Sequence, residues 1–185
     1  GSRGLGDVYK RQVHGLLNMA EALRKSCNIY YIQLGQRVGS QQFYNYFDAF
    51  GFTARTGVDL PSETNFMQYY RADQLGEVQL ASSSFGQAMV ITPLQMCTAI
   101  AATVNGGYLV TPHVVDKITD QNGNVIQEIG SNIRRQVISE SASETIRQIM
   151  EYEVGDGSTS GGGSNAYVAG YRIGGKSGTS EQLNM

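Results

Sequence analysis

Apolar residues recur every three or four positions near the start of the chain, the spacing that places them on one face of a helix. One such helix is predicted to begin after Gly15, and a second apolar stretch runs over residues 29–38. Ser26 and Asn28 separate the two, because their side chains compete with a helix for backbone hydrogen bonds. The apolar positions of the first helix are Leu16, Met19, Ala20 and Leu23.

Two further helices are predicted on either side of a long connecting segment over residues 52–77. Ser40 is a suitable N-cap for the first of them, and Gly51 ends it. Thr92 and Pro93 open the second with an N-cap residue followed by proline at the first helical position. The aromatic residues of the first helix are expected in the core: Phe43, Tyr46, Phe47 and Phe50.

The second half of the chain predicts strands as well as helices. Residues 113–119 and 124–129 alternate between apolar and polar, and the Asn-Gly pair at 122–123 is a strong signal for the turn of a hairpin. This order of elements indicates the α+β class with an antiparallel sheet. Three more segments are expected: a helix over 141–153, a mobile glycine-rich loop over 155–164 and a strand over 167–173.

Composition limits the classes of function. Of 185 residues, 41% are hydrophobic and 16% are charged, which suffices for the core of one domain. The net charge of −2 gives no general attraction to nucleic acid, so no nucleic-acid partner is expected. No apolar run approaches the length of a membrane span, and any membrane attachment is expected to lie outside this chain.

The cysteines and histidines do not indicate a metal site. Cys27 and Cys97 cannot supply four ligands, and His14 and His113 lie about a hundred residues apart. We therefore expect no metal and no cofactor. A disulfide between the two cysteines stays open, because sequence alone does not fix their distance.

Glycine is concentrated near the end of the chain, where nine of the 23 glycines lie between Gly155 and Gly178. Residues Gly170–Ser177 match the pattern of a phosphate-binding loop, in which glycines free backbone N–H groups and a lysine meets the outer phosphates. Such a loop leads into a helix, and the sequence after Lys176 is a poor helix start. Nucleotide binding is therefore the weaker of two interpretations.

The other interpretation rests on two short boxes about 150 residues apart. Residues 26–28 have the form Ser-x-Asn, and residues 176–178, expected on a sheet edge, have the form Lys-Ser-Gly. With their surroundings they resemble the class B penicillin-binding proteins over about Gly15 to Met185. The stretches that carry the resemblance read Ala-Leu-Arg-Lys-Ser-Cys-Asn-Ile-Tyr-Tyr from Ala22, Phe-Gly-Gln-Ala-Met-Val-Ile-Thr-Pro-Leu-Gln-Met from Phe85 and Gly-Tyr-Arg-Ile-Gly-Gly-Lys-Ser-Gly-Thr from Gly170.

The resemblance implies part of the β-lactamase-like transpeptidase fold, with a helical subdomain and antiparallel strands. It implies a peptidoglycan D,D-transpeptidase that crosslinks stem peptides ending in D-Ala-D-Ala by serine acyl transfer, and that β-lactams bind. The parent protein would act at the extracytoplasmic face of the bacterial membrane, anchored through a segment absent here, with other cell-wall synthesis proteins as partners. A β-lactam-sensing receptor that uses the same boxes without turnover is the alternative.

The resemblance also assigns catalytic roles to three residues of the boxes. Ser26 is expected to relay a proton to the leaving amine, and Asn28 to hold the catalytic lysine and the substrate amide. Lys176 is expected to keep the Ser26 hydroxyl in place and to favour the anionic end of the substrate.

Substrate binding is assigned to the residues that follow Lys176. The hydroxyls of Ser177 and Thr179 are expected to bind the substrate carboxylate, and the Thr179 N–H to form half of an oxyanion hole. Gly178, like Gly174 and Gly175, is expected to let the substrate backbone lie against this segment, where a Cβ would intrude.

Each assignment has a structural alternative. Ser26 and Asn28 also suit helix caps, and Lys176 suits a solvated charge on an edge strand. Cys27 has no histidine that the sequence identifies as its base, which favours a buried packing residue over a nucleophile. The segment Phe85–Ala88 is expected to serve packing, and it places alanine where glycine is more usual in the family.

No serine in the chain has a lysine three residues later, so the Ser-x-x-Lys pair that carries the family's nucleophile and base is absent. Residues 1–12 resemble the translation of a sequencing adapter and are set apart as an artefact. Residues 13–185 are then expected to be a partial transpeptidase domain that lacks the upstream Ser-x-x-Lys segment and the C-terminal strands and helix. By itself the chain is expected to be inactive.

Overall fold

The computed structural model describes residues 15–64, 66–157 and 162–179. The chain divides into two compact units, the first comprising Gly1–Phe43, Tyr70–Met89 and Thr145–Met185 and the second comprising Tyr44–Tyr69 and Val90–Glu144. In the described ranges, the helices are α1 (Met19–Arg24), α2 (Asn28–Val38), α3 (Ser40–Ala49), α4 (Glu77–Ser84), α5 (Pro93–Val104) and α6 (Glu140–Val154). The strands are β1 (Tyr108–Thr111), β2 (Lys117–Thr119), β3 (Val125–Glu128) and β4 (Asn132–Gln136), and short 3-10 turns lie at Ala72–Gln74 and Ser164–Ala166.

The short helix α1 depends on its N-terminal cap. The Asn18 side chain accepts a hydrogen bond from the Glu21 N–H at 2.9 Å, and the Glu21 carboxylate accepts one from the Asn18 N–H at 3.0 Å. These two bonds satisfy backbone donors that the first turn of a helix leaves open. Ala22 is fully buried, so the helix is held from both its start and its inner face.

Helices α2 and α4 cross closely in the first unit. A Cβ on Gly35 would stand 1.8 Å from the Ser84 Oγ, so only a residue without a side chain fits at this point of α2. The Ser84 hydroxyl donates to the Leu80 carbonyl of its own helix at 2.6 Å, which satisfies it inside the contact.

In the second unit, α5 packs against β1 and begins with reciprocal capping between Thr92 and Gln95 around Pro93. The buried Gln95 donates its Nε2 to the Ala54 carbonyl at 2.8 Å, which fastens the connecting segment to the helix. Of the four aromatic residues expected in the core, Phe47 is buried, with its ring centroid 4.9 Å from that of Phe52, whereas Tyr46 is 45% exposed. Phe43 and Phe50 are half-buried.

The strands form two antiparallel pairs, β1 with β4 and β2 with β3. The β2–β3 hairpin confirms the predicted turn, although its first strand begins at Lys117 and not at residue 113. Gly123 has φ +84°, and the Asp120 carboxylate accepts hydrogen bonds from the N–H groups of Asn122 and Asn124. All residues of β2 and β3 are exposed, so backbone pairing rather than burial holds this hairpin.

Several predicted elements need correction. The strand expected over 167–173 is absent, because Gly170 has φ +85° and the Tyr171 N–H donates to the Val168 carbonyl, which turns the chain. Ser40 is the first residue of α3 rather than its cap, and its hydroxyl donates to the Leu75 carbonyl at 2.6 Å. Helix α4 and strands β1 and β4 were not predicted from the sequence pattern.

Some predictions concern residues outside the described ranges, namely the adapter-like residues 1–12 and the central part of the glycine-rich loop over 155–164. Among the described helices, none is both long enough and apolar enough to cross a membrane. The α+β class and the order of the long helices agree with the sequence pattern.

Candidate active site

Ser26 lies in the tight connection between α1 and α2. Its φ is +48°, a left-handed conformation that costs a residue with a side chain about 1–2 kcal/mol. The Ser26 N–H donates to the Leu23 carbonyl at 3.1 Å, and the Cys27 N–H to the Ala22 carbonyl at 3.0 Å. These bonds hold the strained backbone, and strain of this kind is concentrated at functional sites.

The structure contradicts the alternative in which Ser26 caps a helix. The N-cap of α2 is Cys27, which makes no side-chain cap hydrogen bond, and Asn28 is the first helical residue. Cys27 is buried with 5% of its surface exposed, in agreement with a packing residue. The hydroxyl of Ser26 is therefore available to a partner outside its own helices.

That partner is Lys176. Its Nζ donates to the Ser26 Oγ at 2.5 Å, although the two residues are 150 positions apart in the chain. The same ammonium donates to the Ser177 carbonyl at 2.9 Å and to the Ser177 Oγ at 3.0 Å. Three oxygen acceptors fix the orientation of the Lys176 ammonium group. This does not fit the alternative in which Lys176 is a freely solvated charge on an edge strand.

The segment around Lys176 is not part of a sheet in the described residues, contrary to the predicted sheet edge. Residues 172–179 are irregular, and the Gly175 N–H donates to the Met150 carbonyl of α6 at 3.2 Å. A Cβ on Gly174 would stand 3.1 Å from the Met150 Cβ and 3.3 Å from the Glu151 nitrogen. The missing side chain of Gly174 therefore lets helix α6 lie against this segment, whereas the sequence had predicted that the substrate backbone would lie there.

Gly178 is different from Gly174, because a Cβ placed on it would meet no atom of the described residues within 4 Å. With respect to residues 15–64, 66–157 and 162–179, the space beside it is open. Residues 176–179 form no helix, whereas a phosphate-binding loop leads directly into one. Together with the engagement of Lys176 by Ser26, this geometry disfavours the nucleotide-binding interpretation.

The sequence interpretation missed Gln87 as a candidate site residue. Its Nε2 donates to the Thr179 carbonyl at 3.1 Å, so the segment assigned to packing contacts the residue assigned to substrate binding. The flanking Gly86 and Ala88 both have positive φ, +87° and +62°, which turns the Gln87 side chain away from a regular helix. The signal available in sequence was the Gly-Gln-Ala text itself.

Glu153 of α6 is the second group that the sequence did not single out. It is fully buried, and in the described part of the chain neither of its carboxylate oxygens has a hydrogen-bond partner. A Cβ on Gly162 would stand 3.1 Å from both the Glu153 Oε1 and the Ser177 Oγ, so the carboxylate lies close behind the Lys-Ser-Gly box. A buried carboxylate without a partner is costly, which marks this position as unusual.

Tyr31 lies on α2, three residues after Asn28. Burial, together with the neighbouring Tyr30 and Cys27, raises the pKa of Tyr31 to about 12. Its hydroxyl therefore keeps its proton throughout the physiological range. Both cysteines are free thiols, and within the described ranges no group of His, Cys, Asp and Glu side chains is arranged to hold a metal ion.

Comparison with known proteins identifies the same family that the two boxes resemble, and the match extends over nearly the whole chain. The family model of the penicillin binding protein transpeptidase domain matches residues 2–185. The chain is 36% identical over 179 residues to stage V sporulation protein D of Bacillus subtilis, an alignment that covers 95% of the chain and 26% of that protein. It is 33% identical over 188 residues to penicillin-binding protein PbpB of Mycobacterium tuberculosis, covering 96% of the chain and 26% of that protein. The chain thus spans about a quarter of the length of these relatives.

Solved structures show the same fold. Penicillin binding protein 3 from Mycobacterium tuberculosis, complexed with ampicillin, superposes with a TM-score of 0.83 at 31% identity, covering 94% of this chain and 39% of that one. The D,D-transpeptidase domain of a peptidoglycan glycosyltransferase from Eggerthella lenta superposes with a TM-score of 0.82 at 24% identity, covering 95% of this chain and 45% of that one. The fold expected from the resemblance is confirmed, and so is the resemblance itself.

Proposed function

Because the chain belongs to the penicillin-binding protein transpeptidase domain family, we propose that it carries part of the active site of a peptidoglycan D,D-transpeptidase. The 2.5 Å hydrogen bond from the Lys176 Nζ to the Ser26 Oγ supports this function best, since it joins the two boxes. In the reaction, a serine Oγ forms an ester with the penultimate D-Ala carbonyl, and the bond to the terminal D-Ala breaks. The amine of a second stem peptide then attacks the ester, forms the crosslink and releases the serine.

In this proposal Ser26 supplies a proton to the leaving amine. Its Oγ accepts a hydrogen bond from an ammonium, so its own O–H points to another acceptor. Lys176 holds that oxygen and adds positive charge to the site. Asn28, the first residue of α2, would hold the catalytic lysine and the substrate amide.

The residues after Lys176 are proposed to bind the carboxylate end of the stem peptide. The Ser177 Oγ already accepts from Lys176, which leaves its proton for the carboxylate. Thr179 offers a second hydroxyl and a backbone N–H for the oxyanion, and Gln87 fixes its carbonyl from the other side. The open space beside Gly178 leaves room for a substrate backbone.

The nucleophile is proposed to come from a Ser-x-x-Lys pair in a longer parent protein, since none occurs in these 185 residues. The reaction would take place outside the cytoplasm, where peptidoglycan lies, with stem peptides and β-lactams as ligands. Cell-wall synthesis proteins are the proposed partners. On this proposal, incubation of the 185-residue chain with a fluorescent penicillin gives no covalent label, and stoichiometric labelling would contradict it.

The decisive test of function uses the parent protein and its acylation by a fluorescent penicillin. Ser26→Ala and Lys176→Ala are each expected to lower the acylation rate by about 10²-fold or more, because each removes a group that handles charge or a proton in the reaction. Lys117→Ala removes an exposed lysine of the hairpin and serves as the matched control. Acylation at the unaltered rate in both site variants would refute the assigned roles.

A further inference from the structure

The last turn of α6, residues 150–154, contacts residues that lie within four positions of each box: Gly175 and Arg172 before Lys176, and Arg24 before Ser26. The Met150 carbonyl accepts from the Gly175 N–H, one residue before Lys176. Glu151 accepts two hydrogen bonds of 2.7 Å from the Nε and a terminal nitrogen of Arg172. The hydrogen bonds from Arg172 are the main reason that the pKa of the Glu151 carboxyl lies below its ordinary value.

These contacts determine where Lys176 can stand. A bidentate arginine–carboxylate pair fixes direction as well as distance, and Gly175 adds a second attachment three residues further along. An extended residue advances the chain by only about 3.3 Å, so a residue that directly follows an attached one has little freedom of position. Gly174 permits this close approach, because a Cβ there would crowd Met150 and the backbone of Glu151 in α6.

The next residue of the turn, Tyr152, contacts the segment that leads to the other box. The Arg24 guanidinium carbon lies 4.7 Å from the centre of the Tyr152 ring, within the range of a cation–π contact. Arg24 is the last residue of α1, two positions before Ser26. The same turn of helix is therefore attached to the Lys176 segment at one residue and to the Ser26 segment at the next.

We propose that this turn is the positioning element of the site, with Glu151 and Tyr152 as positioning residues. Glu151 sets the Lys176 segment through Arg172, and Tyr152 sets the Ser26 segment through Arg24. Arg172 keeps 81% of its side chain exposed, so the pair contributes direction more than stability. The inference rests on the proposed function, because it takes the Lys176–Ser26 contact as the working geometry.

The test measures how strongly Lys176 is held in the 185-residue chain. Acetic anhydride is added at low concentration, and the acetylation of Lys176 is compared by mass spectrometry with that of Lys117 in the same digest. Ser26→Ala removes a hydrogen-bond acceptor of Lys176. The acetylation ratio of this variant gives the value expected for a Lys176 amine that Ser26 no longer holds. Glu151→Arg is expected to raise the Lys176 to Lys117 ratio by about threefold, since an exposed ion pair is worth up to about fivefold in an equilibrium.

Two matched variants separate positioning from a general loss of structure. The double variant Glu151→Arg with Arg172→Glu exchanges the charges and is expected to return the ratio to within twofold of the unaltered chain. Tyr152→Leu is expected to raise the ratio, whereas Tyr152→Phe keeps the ring under Arg24 and leaves it unchanged. Should Glu151→Arg unfold the chain, as far-ultraviolet circular dichroism would show, Glu151→Gln replaces it.

The outcomes distinguish this inference from the proposed function. If Ser26→Ala raises the ratio while Glu151→Arg or Glu151→Gln does not, or if the charge exchange fails to restore it, the positioning role is refuted and the function stands. If Ser26→Ala leaves the ratio unchanged, the contact itself is refuted and the inference falls with it. Penicillin acylation of the parent protein that is insensitive to Ser26→Ala would refute the proposed function whatever the labelling shows.

Discussion

Ser26 and Ala88 hold left-handed backbone conformations, with φ of +48° and +62°, that residues with a Cβ adopt reluctantly. Each lies next to a contact of the candidate site: Ser26 accepts from Lys176, and Ala88 follows Gln87, which donates to the Thr179 carbonyl. Ala88 is exposed, so its Cβ adds strain without being buried in the core. Glycine at this position would remove the strain.

Ala88→Gly is expected to raise the free energy of unfolding by about 1 kcal/mol, because glycine adopts positive φ without the Cβ penalty. Chemical unfolding followed by circular dichroism measures the change. The control is Ala101→Gly inside α5, which should lower the free energy of unfolding by about the same amount. A loss of stability in Ala88→Gly would contradict this account of its backbone.

The buried carboxylate of Glu153 makes a second prediction at the residue scale. Glu153→Gln keeps the shape of the side chain and removes the charge, so it is expected to raise the free energy of unfolding at neutral pH by on the order of 1 kcal/mol. Glu128→Gln, on an exposed strand, is expected to change stability by less than about 0.5 kcal/mol. A destabilised Glu153→Gln would show that the carboxylate has a favourable partner.

Among the elements, the crossing of α2 and α4 shows how a helix predicted only as an apolar stretch is fixed by one small residue. Periodicity predicted α2, yet its partner α4 has a Ser-rich sequence with little apolar pattern and was missed. The position of Gly35 against Ser84 became evident only in three dimensions. Local spacing therefore defines this helix, and the partner helix decides which of its residues must be glycine.

Gly35→Ala is expected to lower the free energy of unfolding by about 1–3 kcal/mol, since the added methyl group cannot fit beside the Ser84 side chain. This outweighs the gain that alanine normally brings to a helix. Gly130→Ala is the control, because a Cβ there meets nothing within 4 Å and its φ is not positive. Thermal unfolding of the two variants, compared with the unaltered chain, measures the difference.

Across the whole molecule, the sequence predicted features that depend on neighbouring residues and missed those that join residues far apart in the chain. Helix α5 and the β2–β3 hairpin follow from neighbouring residues, such as the Thr92-Pro93 start and the Asn-Gly turn. The pairing of β1 with β4 joins residues that no local pattern connects, so it was not predicted. Likewise, the meeting of Ser26 and Lys176 was expected from the family resemblance and not from the spacing of either box.

The acid stability of the chain also belongs to this scale, because four carboxyls among the described residues, spread over both units, have lowered pKa values. For Glu63, burial acts to raise the pKa, but hydrogen bonds from Thr56 and Gly57 outweigh it. For Asp59 the backbone N–H groups of Val115 and Val114 lower it. The other two are Asp120, held mainly by the Asn124 side chain, and Glu151, held mainly by Arg172.

A lowered folded-state pKa stabilises the protein above the unfolded-state value and loses that effect as pH falls through the folded value. The chain is therefore expected to hold its thermal midpoint from neutral pH down to about pH 4, the ordinary range of these groups, and to lose it below. Glu63→Gln and Asp59→Asn are each expected to lower the midpoint at neutral pH and to flatten the acid limb. A midpoint that rises on acidification would contradict the assignment.

At Ser26, selection for stability and selection for activity favour different residues. Glycine at this position would relax φ, yet it would remove the oxygen that Lys176 engages. In a library of variants, Ser26→Gly is expected to be enriched when cells are sorted for folded protein and depleted when the parent protein must support growth. Selection for stability alone would replace Ser26 by glycine. A lineage that keeps serine in the Ser-x-Asn box is therefore expected to be one in which the site is still used.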